Sequence, residues 1–282
     1  MSQAFLITLR EGLEMALIVV IVLAYLKRTE QMRLNGRVWQ GVALATGISL
    51  LGGAILFALG KELEGQAEQV FEGTAMLLAV AVLTWMIIWM KSQARHMRGH
   101  LETQMEHALT GGSTLALVAI PFLAVGREGL ETALFLFGAS KTATPVETTI
   151  GGLLGLICAI LLGWFIYRGT HTINLRKFFS ITGILLIIFA SGLLAHGIHE
   201  FQEAGYLPVF IERVWDTNSV LDENSNFGSF LKGIFGYNGN PSLLEVVAYP
   251  LYLGAALFYF LRPMITPARQ SSPQPATESD LS

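Results

Sequence analysis

Seven apolar runs, near residues 5–26, 38–60, 70–90, 115–138, 148–167, 178–199 and 243–261, each approach the roughly 20 residues that a helix needs to cross a bilayer. Lipid offers the backbone no hydrogen bonds, so runs of this length are confined to helices. The expected fold is an all-α polytopic membrane protein with seven transmembrane helices. Composition agrees: the chain of 282 residues is 52% hydrophobic and 14% charged, with a mean hydropathy of +0.54, too oily for a soluble domain. A net charge of -3 gives no basic surface for nucleic acid. The single cysteine, Cys158, lies in an apolar run and has no intrachain partner for a disulfide. The first run reads as a retained helix and not a signal peptide. Arg10 and Glu11 interrupt it, its basic cluster of Lys27 and Arg28 follows it, and no small-residue cleavage site precedes that cluster.

Basic residues set the orientation. Lys27, Arg28, Arg33, Arg37, Lys91, Arg95, Arg98, Arg168, Arg176, Lys177, Arg262 and Arg269 follow the odd-numbered spans, whereas the alternate segments hold only Lys61, Lys141, Arg213 and Lys232. The positive-inside rule then puts the N-terminus outside and the C-terminus in the cytoplasm. The pentapeptide Arg10-Glu11-Gly12-Leu13-Glu14 in the first span recurs as Arg127-Glu128-Gly129-Leu130-Glu131 in the fourth. The second and fifth spans are both glycine-studded, which suits close helix packing. These features divide the chain into a three-helix repeat with its cytoplasmic connector (1–110), a second three-helix repeat (111–200), an external loop (201–242), a seventh transmembrane helix (243–262) and a disordered cytoplasmic tail (263–282). A three-helix unit reverses when repeated, so the halves are expected as inverted copies, an architecture that places substrate at the repeat interface.

Ionisable groups inside an apolar span are costly and read as functional. Residues three and four apart share a helix face, so Glu11 and Glu14 project together with Arg10, as do Glu128 and Glu131 with Arg127. At about 1.5 Å per residue, both pairs lie on the order of 10 Å below the outer ends of their spans, so they can meet. Four carboxylates against two guanidinium groups leave a surplus of two negative charges, and Glu72 in the third span raises it to three if it joins them. One lone Arg-Glu pair would merely pin helices together; an uncancelled surplus in hydrocarbon needs a cation. Oxygen-only ligands suit a hard cation, and the arginines can orient the carboxylates by charge-assisted hydrogen bonds.

Other polar residues mark a route. Glu64, Glu68 and Glu72 recur every four residues, forming an acidic stripe if the connector before the third span is helical. With His196, His199, Glu200 and Glu203 at the outer end of the sixth span, whose spacing also allows metal binding, they can make an outer entrance. A solvated charged face is the reading favoured for Glu64 and Glu68, and plain polar ends of a span for the two histidines. His96, His100, Glu106 and His107 lie in the connector from Lys91 to Thr110 and can receive outgoing cations, although an amphipathic helix on anionic lipid is the reading favoured for that segment.

The two pentapeptides, Phe71-Glu72-Gly73, Glu203-Ala204-Gly205 and Gly233-Ile234-Phe235-Gly236-Tyr237 together resemble the oxidase-dependent iron permease family, most closely its bacterial EfeU-type branch, over nearly the whole chain except the tail. The resemblance implies a carrier and not an enzyme, in the bacterial inner membrane. Its cargo would be iron, as Fe(III) or as iron being oxidised. Glu11, Glu14, Glu128 and Glu131 would be iron ligands, and Arg10 and Arg127 their partners. It also implies periplasmic partners, a haem peroxidase and an iron-binding lipoprotein among them; no haem or nucleotide is expected in this chain. Two other readings are a carrier for another divalent cation or a proton-coupled transporter, and a membrane subunit of a redox enzyme. The last is disfavoured because only His196 and His199 approach a span.

Overall fold

A computed structural model of the chain describes residues 1–93, 97–111, 114–141, 143–169, 174–223 and 225–262. The expected tail 263–282, His96 and the side chain of His100 lie outside the described residues. Among the described residues the chain forms nine α-helices and no strand: α1 (Ser2–Arg28), α2 (Asn35–Glu62), α3 (Gln66–Gln93), α4 (Met97–Thr110), α5 (Thr114–Ser140), α6 (Pro145–Tyr167), α7 (Leu175–Glu203), α8 (Asn226–Phe235) and α9 (Leu243–Leu261). All seven apolar runs fall within helices, which extend past them by up to four residues. A hydropathy count stops at the first polar residues, whereas the helix continues through its caps. Thr144 accepts from the Glu147 amide, Asn174 from that of Lys177, and Ser242 and Glu245 close a reciprocal capping box.

Five segments, Met32–Glu62, Gln66–Trp89, Pro145–Tyr167, Lys177–Glu203 and Leu243–Leu261, are long and apolar enough to cross a membrane. Helices α1 and α5, with 27 residues each, are long enough but carry the charged pentapeptides. Two expectations for the connectors change. The segment Lys91 to Thr110 does contain a helix, α4, but its apolar face is turned onto protein: Met105 and Ala108 are buried with Val22, Tyr25 and Leu26 of α1, Val38 of α2 and Leu117 of α5. The acidic stripe is also broken. Helix α2 ends at Glu62 and α3 starts at Gln66, with Gly65 at a φ of 60° between them, so Glu64 stands outside the helix that carries Glu68 and Glu72.

Helices α1, α3, α5 and α7 supply the main core, which includes Ile7, Met76, Leu83, Phe135, Ile187 and Leu193. Helices α2, α6 and α9 flank them and expose apolar side chains such as Leu50, Leu153 and Leu251, the pattern expected of a lipid-facing surface. Helix α1 packs on α6, α2 on α5, α3 on α7, and α1 on α5. These pairings are unchanged when α1, α2 and α3 exchange places with α5, α6 and α7. Glycine makes both outer pairings possible. A Cβ on Gly41 of α2 would stand 2.3 Å from the Val118 carbonyl oxygen of α5, and one on Gly155 of α6 would stand 2.4 Å from the Phe5 carbonyl oxygen of α1. Backbone cannot give way as a flexible side chain can. Gly41→Leu is therefore expected to lower the unfolding temperature in detergent, at a cost of about 1–3 kcal/mol or more. Gly47→Leu, where nothing lies within 4 Å, is expected to leave it unchanged.

Candidate metal site

Where α1 meets α5, the two pentapeptides come together. On α1, Arg10 Nη1 donates to Glu11 Oε1 at 2.7 Å and Nη2 lies 3.2 Å from Glu14 Oε1. Arg10, Glu11 and Glu14 are 2%, 0% and 5% exposed, so this ion triad is sealed from solvent. On α5, Arg127 Nε donates to Glu131 Oε1 at 2.8 Å and stands 3.8 Å from Glu128 Oε1. The second motif has an open side, because the Arg127 side chain is 40% exposed while Glu128 is buried.

Carboxylate oxygens of Glu11, Glu128 and Glu131 all lie within 4.8 Å of one another, and among the described residues no other three acidic, histidine or cysteine side chains bring their ligand atoms that close together. Glu14 is held against Arg10 and is outside this trio, though within the electrostatic reach of Glu131. Glu11 Oε2, Glu128 Oε2 and Glu131 Oε2 are buried and make no hydrogen bond among the described residues. Buried carboxylate oxygens without donors are expensive. A cation coordinated by them supplies what the protein does not.

The glycine at the centre of each motif lets a flanking helix approach the charged segment closely. A Cβ on Gly12 would stand 2.8 Å from Ala159 Cβ of α6, and one on Gly129 would stand 2.3 Å from Ser49 Oγ of α2. The flanking helices thus press on the back of each pentapeptide and hold its carboxylates toward the other. Helix α3 closes the site with two residues one turn apart that the sequence reading did not single out. Arg10 Nη1 reaches Met86 Sδ at 3.0 Å, and the Arg127 guanidinium lies 4.9 Å from the Trp89 ring centroid. Their spacing of three was visible, but an apolar helix presents many such pairs.

Glu72 is buried on α3 and pairs with Lys141 at the end of α5. Its charge is therefore neutralised, and the surplus at the pentapeptides stays at two. Near this pair lies Glu200, which lines a cavity of about 330 Å³ together with His196, His199, Glu203, Glu223, Lys232 and Glu245. The expected outer residues His196, His199, Glu200 and Glu203 are thus brought together on α7. Glu64 is exposed and Glu68 half-buried, and neither lines that cavity. Glu106 and His107 are exposed on α4. Glu245 was not singled out from the sequence; its capping-box spacing to Ser242 was legible, but nothing local said that it also meets His199.

Removing one partner from a buried ion pair leaves an uncompensated charge, at a cost of about 3–5 kcal/mol. Arg10→Leu is accordingly expected to destabilise the protein far more than Arg127→Leu, whose guanidinium is partly solvated. Thermal unfolding of the purified variants measures the difference, and adding Glu11→Gln to Arg10→Leu is expected to recover part of the loss.

The model of the iron permease FTR1 family matches residues 1–270. The chain is 41% identical over 265 residues to the ferrous iron permease EfeU of Yersinia pestis, covering 93% of this chain and 94% of that protein. It is 40% identical over 265 residues to the protein of the same name from Escherichia coli O157:H7, covering 93% of this chain and 96% of the relative. No solved structure matches. With its apolar helices and this likeness along almost its full length, the chain is a multi-pass membrane protein belonging to the iron permease FTR1 family.

Proposed function

We propose that this protein carries iron across the bacterial inner membrane, and that the ion exchanges among Glu11, Glu14, Glu128 and Glu131 at the junction of α1 and α5. The observation that carries this reading is the approach of Glu11, Glu128 and Glu131 to within 4.8 Å, with three oxygens lacking donors. Arg10 and Arg127 hold the carboxylates in place and limit the charge of the empty site. The chain acts as a carrier without covalent chemistry, and periplasmic proteins deliver its cargo. Seven membrane-crossing helices with α1–α3 and α5–α7 as inverted repeats fit the exchange-invariant packing described above, and the distribution of lysine and arginine supports an N-terminus outside.

Charge balance bears on the oxidation state. The family resemblance implies Fe(III), or iron as it is oxidised; the bacterial relatives are named ferrous iron permeases. Four glutamates and two arginines leave two negative charges, and the third charge that Glu72 would add is taken by Lys141. A divalent ion neutralises that surplus, so Fe(II) is the form proposed at the cluster.

Glu128→Gln and Glu131→Gln are each expected to reduce uptake of labelled iron by tenfold or more, a loss of at least about 1.4 kcal/mol in the transport step, while the protein still inserts in the membrane. Normal uptake by both variants contradicts the assignment. The charge-balance argument is checked by uptake under ascorbate with and without a ferrous-specific chelator. Loss of uptake with the chelator is the expected result, and undiminished uptake points to Fe(III). Competition by excess manganese, zinc or acid separates an iron carrier from a general divalent or proton-coupled one.

A further inference from the structure

We propose that the outer cavity beside α7 is a second metal site, in which His199 and Glu203, with His196 and Glu200 beside them, load a first-row divalent cation before it reaches the carboxylate cluster. The identity of the ion rests on the iron permease reading; the site rests on the geometry that follows.

His199 is oriented from behind. Its Nδ1 lies 3.1 Å from Glu245 Oε1, and Glu245 is 2% exposed. That carboxylate is fixed in turn, with Oε1 accepting from the Ser242 amide at 3.2 Å and Oε2 from Asn238 Nδ2 at 2.8 Å. Held as an acceptor by these donors, Glu245 places the imidazole proton on Nδ1 and turns Nε2 toward Glu203 Oε1, 3.2 Å away. A carboxylate on the far nitrogen is the usual support of a metal-binding histidine. Glu203 is braced in the same way: Gln69 of α3 donates to its Oε2 at 3.0 Å and leaves Oε1 facing His199. A spacing of about 3 Å between a ring nitrogen and a carboxylate oxygen is that of two adjacent ligands on an ion with bonds near 2.1 Å.

The other donors stand on the same helix face. His196, one turn earlier on α7, has its ring centroid 6.1 Å from that of His199 and opens into the same cavity. It makes no side-chain hydrogen bond among the described residues. Glu200 also lines the cavity and feels the field of Glu72 and Lys141, which stand at the α3 and α5 ends that lead to the cluster. Glu200, Glu203, Glu223 and Glu245 outnumber Lys232, which stands 3.8 Å from Glu223. The cavity therefore attracts cations. Its mixed imidazole and carboxylate donors suit a borderline divalent ion, whereas the inner cluster offers oxygen alone.

The test is iron-edge X-ray absorption of the purified full chain loaded anaerobically with Fe(II), alone and with Glu128→Gln and Glu131→Gln combined to remove the inner cluster. Imidazole scattering is expected in both, and is expected to vanish when His196→Ala and His199→Ala are added. In uptake assays His196→Ala, which loses no structural hydrogen bond, should raise the half-saturating iron concentration about tenfold or more, with a maximal rate near that of the wild type. Absence of imidazole scattering from both loaded proteins, or an unchanged half-saturating concentration in the His196→Ala variant, overturns the proposal. Normal transport by the cluster-deficient protein would instead overturn the permease mechanism, and the imidazole signal would still decide whether the outer site exists.

Discussion

The whole arrangement depends on an unbalanced charge held in an apolar bundle. Taking one carboxylate out of water costs several kcal/mol even after relaxation, and this chain does so four times within two short motifs. Arg10 and Arg127 compensate half of that charge. The sealed triad of Arg10, Glu11 and Glu14 is the rigid side of the site, whereas Arg127 leaves the second motif partly open. Such an arrangement remains short of cations, which suits the proposed exchange of an ion among these carboxylates.

Packing serves that charge. Helices α2 and α6 approach α5 and α1 so closely that a methyl group on Gly41 or Gly155 would meet backbone. The same flanking helices press against Gly12 and Gly129 inside the pentapeptides. Helix α3 then covers both guanidinium groups with Met86 and Trp89. Backbone closeness, side-chain direction and charge therefore agree at one level of the bundle. The outer cavity is built by another logic, with its ligands on one face of α7 and their supports on α3, α9 and the segment before α9.

Much of this was legible in the sequence because it is written in local spacing. The runs locate the long helices to within a turn, and the Arg-Glu-Gly-Leu-Glu repeats contain the three carboxylates that converge. Residues His196, His199, Glu200 and Glu203 share a face by spacing alone, and they do meet in one cavity. What escaped depends on partners distant in the chain. Lys141 neutralises Glu72 across 69 positions, Met86 meets Arg10 across 76, and Glu245 meets His199 across 46. The packing partners of α4 escaped for the same reason. An amphipathic helix packs equally well on lipid or on neighbouring helices, and only the folded chain shows Met105 and Ala108 packed among the side chains of α1, α2 and α5.

Iron-edge anomalous diffraction from crystals loaded anaerobically with Fe(II) addresses the central claim most directly. The account predicts an anomalous peak between α1 and α5, within about 2.0–2.6 Å of carboxylate oxygens of Glu11, Glu128 and Glu131, the bond lengths of oxygen-ligated cations. Loaded crystals whose iron lies only away from these three residues would contradict it.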